Sequence, residues 1–217
     1  MNAPGNDGPL TVSDDGRDVE VALGAAPAGR LVFANGTAQL TLRADPSLDR
    51  MARARFEGSS PKASLEDETL TFRYPRVGRP FDWRRRRADV TVTTSIPWEI
   101  DIRSGAASVV ADLRGVVLLG FRVGGGASSV EISLPPPVGA VPVTIGGGAS
   151  HLRLLRPAEV PVRLLVKGGA SKLAFDDESL GAVGGRVRLQ SDGFTEAQDR
   201  YEVSIGGGAS ELTVGRL

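Results

Sequence analysis

Seven arginines stand between positions 73 and 87: Arg73, Arg76, Arg79, Arg84, Arg85, Arg86 and Arg87. Phe72, Tyr74, Phe81 and Trp83 are interleaved with them. Guanidinium groups beside aromatic faces can hold phosphate, single-stranded nucleic acid or a headgroup surface. Pro75 and Pro80 keep the stretch out of regular structure. Arg76, Arg79, Trp83, Arg84, Arg85, Arg86 and Arg87 are therefore the candidate anion- or partner-binding residues. The competing reading is a solvated connection, whose arginines pair with acidic neighbours and whose aromatics seal one end of the fold.

A second set of residues repeats. Gly-Gly-Ala-Ser occurs at Gly125–Ser128, Gly147–Ser150, Gly168–Ser171 and Gly207–Ser210. A serine nucleophile needs a base and an orienting group. The single histidine, His151, is adjacent to Ser150, and adjacent strand residues point to opposite faces. No G-x-S-x-G elbow is present. The glycines precede strands, so no helix N-terminus faces a phosphate, and no phosphate-loop signature matches. His151 has neither a cysteine nor a second histidine with which to build a common zinc site. Glu66-Asp67-Glu68 and Asp176-Asp177-Glu178 offer carboxylates for Ca²⁺, but without D-x-D-x-D-G spacing they read as solvated turns. A carboxylate pair for polysaccharide hydrolysis has only fold analogy behind it. With 5% aromatic residues, the chain has little with which to line a carbohydrate cleft. No catalytic, metal-binding or cofactor-binding residue is assigned, and the expectation is that the protein is not an enzyme.

The repeat makes most sense as structure. Gly126, Ala127, Ser128, Gly148, Ala149, Ser150, Gly169, Ala170, Ser171, Gly208, Ala209 and Ser210 are its structural residues. Ser104–Ser108 is a worn copy, with Ala107 set against Ala127, and the motif alanines then recur at intervals of 20, 22, 21 and 39 residues. A period near twenty points to stacked repeats. Between motifs the pattern is period 2: Trp98, Ile100 and Ile102 alternate with polar residues, as do Val130, Ile132 and Leu134. Such strands bury one face and wet the other. The expected architecture is all-β, a stacked β-solenoid with coils of about 20–22 residues. Glycine would supply positive φ and close backbone approach at each corner. Alanine would stack on alanine in successive coils, ~4.8 Å apart, and the serine hydroxyls would form a hydrogen-bonded column. The long interval before Ala209 reads as an irregular coil or protruding loop, with an excursion at 191–200.

Residues 96–217 form the regular part of this reading. Residues 19–95 are a degenerate or capping version, in which Asn35-Gly36-Thr37-Ala38 is a diluted motif. Residues 1–18 are expected to be a disordered tail, and Pro46–Arg55 carries a weak helical or turn signal. Basic and acidic residues balance at 26 each and there is no cysteine. There is thus no global attraction to nucleic acid or anionic lipid, and no disulfide. The N-terminus lacks a signal-peptide pattern and no apolar run reaches the ~20 residues of a membrane span. A cytoplasmic location, at most peripheral to the envelope, is the expectation.

The four full motifs, the Trp98-Glu99-Ile100 strand and the terminal Gly207–Val214 run resemble the bacterial toastrack, or putative-adhesin, family of β-solenoids. The resemblance is good over about 97–217 and weaker over 31–94. It implies a right-handed solenoid and brings no catalytic residues. Some members are linked to envelope stress signalling, and this chain is expected to lack their membrane anchor. Three functions follow in order: a non-enzymatic scaffold or protein-interaction module, self-associating or bound to another protein; a sensory or ligand-binding domain of an envelope-linked pathway that meets an anionic surface through the arginine–aromatic stretch; and a polysaccharide-active enzyme.

Overall fold

The computed structural model describes residues 9–75 and 86–217. Its strands begin with β1 (Leu10–Val12), β2 (Asp18–Ala22), β3 (Gly29–Phe33), β4 (Thr37–Asp45), β5 (Arg50–Glu57), β6 (Lys62–Glu66) and β7 (Thr69–Arg73). Next come β8 (Arg87–Thr93), β9 (Trp98–Ile102), β10 (Ala106–Asp112), β11 (Leu118–Val123), β12 (Ala127–Ser133), β13 (Ala140–Ile145) and β14 (Ala149–Arg156). The last are β15 (Val162–Val166), β16 (Ala170–Phe175), β17 (Glu178–Val183), β18 (Val187–Gln190), β19 (Arg200–Ile205) and β20 (Ala209–Arg216). They form two mixed sheets, one of 11 strands and one of 9, neither closed into a barrel. No helix occurs among the described residues.

From β7 to β16 the chain changes sheet at every connection. One strand from each sheet makes a layer, and both sheets have the same layer order: β7/β8, β3/β4, β9/β10, β11/β12, β13/β14, β19/β20, β15/β16. Neighbouring layers pair in parallel, as in β12 on β14 and β11 on β13. Inward side chains stack in columns between the sheets. Val109, Val130, Leu152, Leu212 and Leu173 form one, and Ile100, Phe121, Val143, Val203 and Leu164 face it from the other sheet. All are buried. Fully burying an aliphatic side chain contributes about 1.5–3 kcal/mol, and a slip of one residue would turn a whole strand inside out. The core therefore fixes the register.

The layers do not stack in chain order. The alanine column runs Ala106, Ala127, Ala149, Ala209, Ala170. Alanine does lie on alanine, but the last repeat is inserted before the one that precedes it. The worn copy also enters the column through Ala106 instead of Ala107, with Thr37 beside it. The interval of 39 is thus an excursion through β17, β18 and residues 191–199 that leaves room for β19/β20. At the other end the earliest layer, β3/β4, is likewise inserted between β7/β8 and β9/β10.

Side chains explain the inserted C-terminal layer. Glu211 on β20 lies between His151 on β14 and Lys172 on β16, with contacts of 3.4 and 2.7 Å. Stacking in chain order would remove Glu211 from between them and set Lys172 beside His151. The returning chain is also pinned at its entry. The Asp199 carboxylate accepts from the Gly139 N–H at 2.6 Å, the Arg200 N–H donates to the Gly139 carbonyl, and the buried Tyr201 hydroxyl donates to the Pro135 carbonyl at 2.6 Å.

Antiparallel strands close both ends. β5, β2 and β1 follow β8 in one sheet, and β6 follows β7 in the other. At the far end β17 covers β16 and β18 covers β15. Phe56 of β5 meets Phe72 edge-on at 4.8 Å, and Phe33 and Tyr74 complete this aromatic plug. The expected tail contributes β1 and the first residue of β2, while residues 1–8 lie outside the described residues. The helical signal at Pro46–Arg55 gives way to a turn and β5, because Met51, Ala52, Ala54 and Phe56 are buried in a strand held between β2 and β8. Residues 19–95 and 96–217 share both sheets through β4·β10 and β3·β9.

Burial pushes the Tyr201 phenol well above its ordinary value. The buried neutral phenol therefore contributes stability that is fully present below about pH 10 and declines as pH rises beyond it. Tyr201→Phe leaves the Pro135 carbonyl without its donor. It should cost about 1–3 kcal/mol at pH 7 and reduce the loss of stability above about pH 10, as measured by urea denaturation at both pH values.

Candidate functional site

The motif residues build the corners. Gly147 donates to the Gly125 carbonyl at 2.9 Å on one side, and Ala149 donates to the Gly208 carbonyl at 3.0 Å on the other. The corner backbone thus bonds to both neighbouring layers without any side chain. A Cβ on Gly147 would lie 2.7 Å from the Gly126 nitrogen, and one on Gly207 would lie 2.8 Å from the Gly148 nitrogen. Close approach is the reason for glycine here. Positive φ is not, since among the glycines of the four full motifs only Gly169 adopts it, at 79°.

Ser128, Ser150, Ser171 and Ser210 are exposed. No hydrogen bond joins one of these hydroxyls to the next, so the expected hydroxyl ladder is not made. The residues that follow them carry the outer column. There the Lys172 ammonium holds the Glu211 carboxyl below the usual range. His151 is committed to the same carboxylate.

Of the arginine–aromatic stretch, Arg76, Arg79, Phe81, Trp83, Arg84 and Arg85 lie outside the described residues. Arg86 and Arg87 are engaged by the fold. Arg86 lies 4.8 Å over the Tyr74 ring. Arg87 donates to Gln39 at 3.1 Å and meets Glu57 at 3.7 Å. Phe72 and Tyr74 are buried in the aromatic plug.

The acidic clusters are turns. Asp67 and Glu68 take positive φ between β6 and β7, as Asp176 does between β16 and β17. Asp176 accepts both ends of the Arg156 guanidinium at 2.8 Å, and Asp177 meets Arg216 at 2.9 Å. Arg156 is 1% exposed and also donates to the Gly215 carbonyl. It ties β14 to the end of β20 and to the turn after β16. Among the described residues no group of three or more His, Cys, Asp or Glu is placed to hold a metal ion.

The structure assembles one cluster that the sequence did not reveal. Asp101, on the outer face of β9, is 8% exposed at its side chain. Arg30 from β3 reaches it at 3.1 Å and Arg103 at 3.3 Å. Arg122 on β11 is its register neighbour. These four residues line a depression of about 370 Å³. Glu99 joins Arg30 at 3.5 Å. The alternation of Trp98–Ile102 marks Asp101 as outward, but its partner Arg30 lies 71 residues away, and nothing local signals that pairing.

No protein-family model and no curated protein matches the chain. A solved structure does. The chain is similar to a "putative cell adhesion protein" from Clostridium sporogenes ATCC 15579, with a TM-score of 0.66 at 17% identity, over 92% of this chain and 98% of that one. The likeness is one of fold. A "putative adhesin" from Bacteroides fragilis NCTC 9343 aligns over 93% of this chain and 95% of that one, at 10% identity and a TM-score of 0.28.

The two kinds of ion pair differ in depth, and this is measurable. Asp176→Ala strands a buried guanidinium and should cost about 3–5 kcal/mol in chemical denaturation. Arg87→Ala removes an exposed pair and should cost no more than about 1 kcal/mol. Similar costs for the two would contradict this ranking.

Proposed function

We propose that the protein is a non-enzymatic β-solenoid interaction module that meets its partner through the outer faces of its two sheets. The observation that carries this reading is the identical layer order of the two sheets. Parallel, in-register stacking turns each sheet into a rigid display of outward columns, such as His151–Glu211–Lys172. The adhesion description of the Clostridium sporogenes protein, which has a similar fold, supports an interaction role.

The ends favour face contacts over edge pairing. Edge strands invite pairing with another chain unless they are short, charged or bulged. β1 has three residues and β18 has four. β6 carries Lys62 and Glu66, and β17 meets β16 with register shifts. Copies of the chain should therefore not stack end to end. The second reading, a ligand-binding sensory domain, draws support from the arginine cluster around Asp101.

Light scattering behind gel filtration should give the 22.7 kDa monomer at every concentration and salt level. Concentration-dependent assembly would replace the face-binding module with a self-assembling scaffold. Incubation with a polysaccharide panel should release no reducing ends; steady release would overturn the non-enzymatic reading.

A further inference from the structure

The outer face of the nine-stranded sheet departs from regular pairing in its middle, at β11 and β13. Leu118 and Gly120 pair with consecutive residues of β9, Trp98 and Glu99, so Leu119 is an extra residue in β11. A bulge of this kind re-aims a side chain. Leu118 stays in the core, while Leu119 turns outward and is 47% exposed. Gly120 follows it, and a Cβ there would lie 3.5 Å from the Pro142 ring of the next layer. Pro142 is exposed in β13, a strand paired on both sides, where proline removes a ladder hydrogen bond. A bulge, a strand glycine and a central proline each weaken a sheet. Here they meet on one outward surface, and what they provide lies on the outside.

That surface is apolar. Val117 and Val138, just before β11 and β13, are exposed over the same two layers. An exposed apolar patch rimmed by polar groups marks an interaction site. The rim is charged, and most of its charges are paired. Glu99 meets Arg30 at 3.5 Å, Asp101 meets Arg30 and Arg103, and Glu202 meets Arg163 at 3.0 Å and Arg200 at 3.5 Å. Arg122, two residues beyond Gly120 on the same face, is exposed and makes no ion pair among the described residues. The open charge beside the patch is therefore positive, and its complement on a partner is a carboxylate.

We infer that Leu119, Pro142 and Arg122 form the docking centre for another protein, which presents an acidic, apolar segment. An apolar side chain of the partner rests on Leu119 and the Pro142 ring, and a carboxylate pairs with Arg122. Gly120 and Arg122 stand about 6.6 Å apart along the strand, a spacing that alternate residues of an extended segment match. β11 and β13 are held by neighbours on both sides, so little ordering of this chain accompanies binding. This inference rests on the interaction-module reading and names the surface that the module uses.

The test is selection of phage-displayed random dodecapeptides on the immobilised full chain, followed by fluorescence anisotropy of the enriched peptides. These should carry Asp or Glu two residues from an aromatic or large aliphatic residue. Leu119→Ser and Arg122→Gln should each weaken their binding at least tenfold with an unchanged melting temperature. Arg188→Gln, which alters an exposed arginine of the same sheet outside the patch, should leave it intact. Failure to enrich any peptide overturns the docking centre, as does undiminished binding by Leu119→Ser. Peptides without a carboxylate, or equal affinity for Arg122→Gln and the parent chain, would exclude the acidic partner. Equal losses in Arg122→Gln and Arg188→Gln would reduce the interaction to general charge attraction. Binding to phosphatidylglycerol vesicles that Leu119→Ser abolishes would assign the patch to a membrane instead, and a dimer that Leu119→Ser dissociates would assign it to a second copy. Peptides lost with Arg153→Gln, on the outer face of the other sheet, but retained by the patch variants would strike this site and leave the interaction module standing.

Discussion

At each corner of the glycine motif the backbone of one layer lies directly on the backbone of the next, with no space for a Cβ between them. Gly124–Gly126 lies against Gly146–Gly148, which lies against Gly206–Gly208. Peptide hydrogen bonds run through the corners as they run through the strands. This contact sets the layer spacing, brings Ala127, Ala149 and Ala209 into one column, and delivers the core residues of both sheets in register. A larger residue at a corner would push neighbouring layers apart in both sheets at once. The glycines of the motif are there for distance, and their conformational freedom is secondary.

The same constraint makes the layers interchangeable, so something else must order them. Backbone stacking does not distinguish β16 from β20 as the neighbour of β14. Charge and anchoring do. Glu211 separates two basic groups, Tyr201 and Asp199 pin the returning chain to residues 135–139, and Arg156 binds the end of β20 and the turn after β16. At the other end Gly29 begins the inserted layer because the Trp98 ring lies against it: a Cβ there would be 2.8 Å from that ring. Both inserted layers are penultimate, so the stack is capped by internal hairpins and the terminal repeats are buried inside it. Making these contacts requires pairing across long sequence separations, which slows folding relative to local stacking.

Much of this was legible in the sequence. The alternation at Trp98–Ile102 and Tyr201–Ile205, the inward alanines and the corner glycines report local geometry, and local geometry is what residue type encodes. The layer order was hidden, because an interval of 39 residues is equally compatible with a loop and with an insertion. The choice of Ala107 over Ala106 failed because both fit the motif and only the register with Ala127 separates them. The weak helical signal at Pro46–Arg55 lost to sheet partners on both sides of β5. Arg86 and Arg87 stood out as cations with Tyr74 nearby in sequence, but Gln39 and Glu57 come from β4 and β5 and could not be read beside them. For the same reason Arg30 and Asp101 passed unnoticed, being joined only across the β3·β9 pair.

A rigid stack with inserted layers holds its outward side chains at fixed spacing, and that is the property on which face-to-face recognition depends. The inserted order can be tested by cross-linking in this cysteine-free chain. Adjacent in-register strands lie about 4.8 Å apart, within reach of a disulfide, whereas strands two layers apart lie beyond its limit of about 7 Å. Under mild oxidation the His151→Cys, Glu211→Cys pair should cross-link rapidly and the His151→Cys, Lys172→Cys pair should not. Rapid cross-linking of the second pair with failure of the first would mean that the repeats stack in chain order, and the account of the inserted layer would be wrong.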